Sequence, residues 1–195
     1  MFGLKIEPIY RYPEFKENFN NSPLQNRRNE FAFFFKAILP GLSSYYWIIE
    51  RDSFNWPVEF HHLSTYNPDT DEYEDGPMKE ILFFFSPIEE NDNYYLGLPG
   101  LLPEYAPYVT NDWNCLRGFK TKPDFPGKWI KKYWKAKNRG QYVAQTVDTC
   151  FTNIDGAYWE IFTKKKEFFE SVRSSLQDIE GIRISEQPVE KSYGI

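Results

Sequence analysis

The sequence predicts an α+β fold: a single domain, a mainly antiparallel sheet with helices packed on it, and a C-terminal ββαβ unit. Two observations carry this expectation. Segments rich in β-formers recur along the chain with only a few helical patterns between them. The best-patterned stretch, residues 141–187, reads strand, turn, strand, helix, strand. A length of 195 residues suits one domain. The domain is placed at 1–187, and "PVEKSYGI", 188–195, is expected to be a flexible tail. No internal repeat is evident, which argues against a solenoid.

The elements follow in order. "NSPLQNRRNEFAFFFKAILPG" reads as a helix, with Ser22 as cap, Pro23 in the first turn and Pro40-Gly41 as stop. "SSYYWIIERD" reads as a strand and "VEFHHLSTY" as a second. The second runs into "NPDTDEYEDGP", an acidic loop or hairpin end. "KEILFFFSPI" is a third strand, apolar enough to be covered on both faces. In "EENDNYYLGLPGLLPEYAPYVTNDWNCLRGF", Pro and Gly break every period, so loops and short turns are expected.

"FPGKWIKKYWKAKNRG" reads as a short helix ending near Gly140. "QYVAQTVDTCF" then reads as a strand, "NIDG" as a turn and "AYWEIF" as the partner strand. "TKKKEFFESVRSSLQDIEG" reads as a helix capped by Thr163 and stopped at Gly181. Its apolar stripe is Phe168, Val172, Leu176 and Ile179, with Phe169 beside it. "IRISEQ" is the last strand.

Composition is that of a globular protein, with 41% hydrophobic and 26% charged residues. Aromatic content is high at 19%, which suits a Phe-rich core and also interfaces and sugar platforms. Two cysteines, Cys115 and Cys150, are too few for a disulfide scaffold. The opening residues lack a signal-peptide pattern, and no apolar run is long enough to span a membrane. A soluble cytoplasmic protein with reduced thiols is expected, with no membrane contact.

The net charge of -5 is unevenly spread. Residues 1–116 carry 8 basic and 18 acidic side chains, residues 117–140 carry 9 and 1, and residues 141–195 carry 6 and 9. Such asymmetry bears on partners, unless the basic segment folds against the acidic part.

Most familiar chemistries find no motif. The only histidines, His61 and His62, are adjacent and far in sequence from both cysteines, so a zinc site is disfavoured. "DTDEYEDG" has the acidity of a calcium loop but the wrong spacing, because Tyr73 and Leu82 occupy ligand positions. Phosphate-binding glycine loops are absent. No cofactor and no metal is expected.

Three segments supply candidate binding residues. "KWIKKYWKAKNRG" interleaves Trp129, Lys132, Tyr133 and Lys135, at a spacing that equally suits a core stripe with a wet lysine face. The acidic turn supplies Asp71, Glu72 and Glu74. "VTNDWNCLRGF" supplies Trp113 and Arg117 beside Cys115, a thiol read as buried and structural.

Acid–base chemistry needs two carboxylates on one face. A two-residue Asp155-Gly156 turn pairs Ile154 with Ala157 and Phe151 with Glu160, placing Asp148 and Glu160 on opposite faces. Only an odd-length loop brings them to one side.

The functional expectation is a non-catalytic binding protein that meets another protein through charged surfaces, of inhibitor or immunity type, with an acidic surface that blocks a basic toxin. The rival readings are a small hydrolase or glycan-acting enzyme using carboxylates and aromatics, and a carbohydrate or small-ligand binder. Nucleic acid is disfavoured by the overall negative charge.

Overall fold

The computed structural model describes residues 1–8, 44–50, 65–67, 72–74, 85–88, 91–99, 114–154, 158–179, 181–192 and 194–195. Their centre is an eight-stranded sheet in the order β10-β1-β9-β8-β7-β2-β6-β5. Its strands are β1 Phe2–Pro8, β2 Tyr46–Glu50, β5 Phe85–Ile88, β6 Asn91–Gly97, β7 Asn114–Phe119, β8 Thr149–Ile154, β9 Tyr158–Thr163 and β10 Ile182–Glu186. Every pairing is antiparallel. A separate hairpin joins β3 Thr65–Asn67 to β4 Glu72–Glu74. The helices are α1 Pro126–Lys135, α2 Arg139–Thr146 and α3 Lys166–Leu176. The α+β class and the C-terminal strand–helix–strand arrangement are as expected, with the first strand inserted between β9 and β10.

Side chains alternate across a strand, so the register sorts the sheet into two faces. Leu4, Ile6, Trp47, Ile49, Leu116, Phe151, Trp159 and Ile161 share one face, and all are buried. Helix α3 covers the β10-β1-β9 side of it with Phe169, Val172 and Leu176. Phe2 and Phe169 meet at 5.4 Å between ring centroids. Each such buried side chain contributes roughly 1.5–3 kcal/mol, far more than any helix propensity, so packing holds α3 in place.

The opposite face carries Ile48, Leu96, Phe119, Cys150 and Phe162. Ile130 and Tyr133 of α1, Val143 of α2, Val147 and Val189 complete this core.

Four local expectations change. "QYVAQT" is helix α2, not strand: Asn138 caps it by accepting from the Gln141 amide at 2.8 Å, and Val143 packs into the core. A cap contributes about 1 kcal/mol, and burial of Val143 adds more, which outweighs the strand preference of Tyr and Val. Helix α3 begins at Lys166 because Thr163 belongs to β9. The Thr163 hydroxyl still accepts from the Lys165 amide, at 3.2 Å. Phe169, not Phe168, is the buried member of the α3 stripe. The segment read as loops contributes β6 and β7, because hydrogen-bonded partners stand on both sides of each.

The β8–β9 register also differs. Ile154 pairs with Tyr158, so three residues separate the paired ends and parity is odd. Thr152, not Phe151, faces Glu160. This register lets Phe151 and Trp159 meet at 5.1 Å on one face. Apolar patterning of the two strands outweighs the local Asp-Gly preference. The proposed helix ending at Pro40-Gly41, both histidines and most of the acidic turn lie outside the described residues.

Candidate functional site

Helix α1 has two contrasting faces. Pro126 occupies its first turn, and Ile130 and Tyr133 point into the core. Lys128, Lys131, Lys132 and Lys135 fall at i, i+3, i+4 and i+7, forming one exposed stripe. The helix contains no acidic residue, and none of these lysines makes an ion pair with a described residue. Like charges at this spacing destabilise a helix by a few tenths of a kcal/mol per pair.

Aromatic rings flank the stripe. Phe125 is 60% exposed and Trp134 48% exposed, so two of the three exposed large hydrophobics among the described residues lie here. The Lys128 ammonium sits 4.1 Å from the Phe125 ring centroid. Arg139 lies 4.3 Å from the ring of Trp134, whose indole N–H donates to the Tyr94 hydroxyl at 2.9 Å. Trp134 is therefore anchored to β6 while part of it stays open to solvent.

Beneath α1 the aromatic layer continues inward. Trp129 stacks on Tyr133 with centroids 5.5 Å apart and planes 10° from parallel. Its indole N–H donates to Thr146 on α2 at 3.0 Å, tying the two helices together. The Arg117 guanidinium, fully buried on β7, lies 4.5 Å from the Tyr133 centroid and 5.9 Å from that of Trp129. Arg139 approaches Tyr133 from 5.4 Å. The structure thus brings together Trp129, Tyr133 and Arg117 from two separate candidate segments. Lys132 and Lys135 stand on the exposed stripe. Glu72 and Glu74 lie in β4 of the separate hairpin. Asp71 and Trp113 are outside the described residues.

A second polar cluster lies on the same sheet face, and local sequence does not reveal it. Glu160 is fully buried between Thr152 on β8 and Lys5 on β1. Its carboxylate accepts from the Thr152 hydroxyl at 2.9 Å, and also from the Ser192 hydroxyl and the Gln187 amide. Burial pushes the Glu160 carboxyl above its ordinary value, and the three donors and Lys5 offset that only in part. Glu7, two positions along β1 from Lys5, shows the reverse balance. Burial pulls its carboxyl upward, but hydrogen bonds from Lys5 and Arg183 hold it below the ordinary value.

Ser192 belongs to the segment 188–195, expected to be a flexible tail, and Gln187 immediately precedes it. Val189 there is buried in the core, and residues Val189–Lys191 form a short 3-10 turn. This turn packs on α2 where Gly140 leaves room: a Cβ at Gly140 would lie 2.6 Å from the Val189 carbonyl oxygen. The only signal for the cluster was one carboxylate inside the aromatic strand "AYWEIF".

Asp148 and Glu160 share a face by parity but form no acid–base pair. Asp148 lies just before β8, four positions from Thr152, a separation of about 13 Å for extended chain. Its carboxylate instead accepts from the Lys120 amide at 2.8 Å.

Cys115 and Cys150 are buried and free, with sulfurs 3.8 Å apart. Among the described residues, no group of three or more His, Cys, Asp or Glu could hold a metal ion, and no helix is long and apolar enough to cross a membrane. The chain matches no family model, no curated protein and no solved structure.

Proposed function

We propose that this chain is a non-catalytic protein-binding domain that meets an acidic partner surface through α1. The observation that carries this reading is the lysine stripe of Lys128, Lys131, Lys132 and Lys135 beside the exposed rings of Phe125 and Trp134. A stripe of one charge, with no opposing carboxylate among the described residues, costs the helix stability and adds nothing to the core. Half-exposed aromatics next to it are the usual anchors of an interface, and the lysines would steer an acidic partner toward them. A small domain acting by contact alone suits an inhibitor or immunity-type role.

The test starts with full-length chain used as bait in a lysate of its source cell, beside the variant with all four lysines changed to Glu. The expected result is an acidic protein, identified by mass spectrometry, retained by the native chain and lost from the variant. Purified, that partner should bind more weakly as salt rises. Equal retention by both baits would overturn the reading. So would preferential capture of nucleic acid, which the same basic and aromatic side chains could hold through phosphates and bases.

A further inference from the structure

The chain has only two cysteines, and folding brings them into contact across 35 positions of sequence. Cys115 stands opposite Thr152 and Cys150 opposite Arg117, so the two are diagonal neighbours on one face of β7–β8. Their sulfurs are 3.8 Å apart, and a disulfide needs about 2.05 Å; because diagonal neighbours sit wider apart than a bonded pair, closing the gap draws the two strands together as well as turning the side chains. The segment between them holds both α1 and α2. A bond at this point would close that helical excursion at its root.

We propose that Cys115 and Cys150 form a reversible intramolecular disulfide, with a peroxide as the oxidant. One thiolate attacks a peroxide oxygen, giving a sulfenic acid and releasing hydroxide. The second sulfur then displaces hydroxide from the first, forming the S–S bond. Overall the two thiols lose two electrons and two protons, and hydrogen peroxide is reduced to two waters. Burial pushes the Cys150 thiol up, and the neighbouring Arg117 charge counters this only in part, so the reaction is slow in the folded chain. The proposal does not depend on the binding role of α1.

The experiment uses the full chain treated with hydrogen peroxide, quenched in acid, unfolded, alkylated and measured by mass spectrometry. Both thiols should vanish together, with a Cys115–Cys150 linked peptide that dithiothreitol cleaves. The oxidised chain should melt roughly 10 °C higher, because the bond constrains a long loop of the unfolded state. Oxidation of one cysteine to sulfinic acid, sulfur-linked dimers, or thiols that survive in the native chain but oxidise in urea would each overturn the proposal. An unchanged melting temperature would overturn the claim that the bond fastens the helical segment. In Cys115→Ser, peroxide should leave the melting temperature unchanged; a retained rise would also count against the pair.

Discussion

The lysine stripe of α1 and the carboxylate of Glu160 sit on the same side of one sheet and treat charge in opposite ways. The stripe gathers four positive charges without an opposing partner among the described residues. Glu160 is a single negative charge surrounded by three donors from β8 and the C-terminal segment. Charge that the fold satisfies internally points to architecture. Charge that it leaves open at some cost to a helix points to a partner. Removing the first should cost stability, and removing the second should cost binding.

The largest expected effect separates the two. Changing Lys128, Lys131, Lys132 and Lys135 together to Glu should weaken binding of the acidic partner on the order of a hundredfold or more. Folding stability should move by no more than about 0.5 kcal/mol, because exposed charges contribute little to it. Calorimetric titration and urea unfolding on the same protein read the two quantities. A large loss of stability with unchanged affinity would reverse the assignment of this face.

Glu160→Ala should do the opposite. It removes buried volume and leaves the donors of Thr152, Gln187 and Ser192 without their acceptor, a cost of about 2–4 kcal/mol. The C-terminal segment should loosen with it, read as faster amide exchange around Val189. Glu160→Gln keeps the shape and one acceptor, so it should cost much less. If Ala and Gln prove equally mild, the cluster does not hold the segment down.

The pH dependence sharpens the same contrast. Burial raises the folded-state value of Glu160, so the folded chain holds its proton to higher pH than the unfolded chain does. The stability this contributes is fully present below the unfolded value and is lost as pH rises through the folded one. Relative to the native chain, Glu160→Gln should therefore gain stability as pH rises through that window, then level off. Glu7 works in the other direction: its lowered value gives stability above the unfolded value that is lost as pH falls. Urea midpoints across acidic to neutral pH, for both chains, test the signs.

How much of this was legible in the sequence depends on how local its cause is. Helix α1 was readable because Pro126 and the spacing of its apolar and basic residues lie within one short segment, but its end was not: expected near Gly140, it stops at Lys135, and Gly140 falls in α2 behind the Asn138 cap. The hairpin of β8 and β9 was readable as a hairpin, but its register was not. The Asp-Gly signal is local, whereas the register answers to Phe151, Trp159 and Ile161 packing on a shared face. Strands β6 and β7 were hidden because Pro and Gly interrupt their surroundings and their stability comes from neighbours far in sequence. The seat of Glu160 was hidden for the same reason: Gln187 and Ser192 lie 27 and 32 positions away.

Trp134 lies where the two kinds of region meet, and its expected effect is the smallest. Its indole N–H is tied to Tyr94 of β6, while about half of the side chain faces solvent beside the lysine stripe. Trp134→Phe deletes the hydrogen bond and keeps an aromatic surface. The loss of stability should be about 0.5–1.5 kcal/mol, the net contribution of one hydrogen bond. Partner affinity should fall as well, because a ring released from Tyr94 no longer presents a fixed surface and must be ordered on binding. Trp134→Ala removes the ring altogether and should weaken binding further than Phe does, with a further stability loss of roughly 1 kcal/mol from the ring's contacts with Tyr133 and Arg139. Equal affinity for native, Phe and Ala chains would remove Trp134 from the contact face and leave the lysines to act alone.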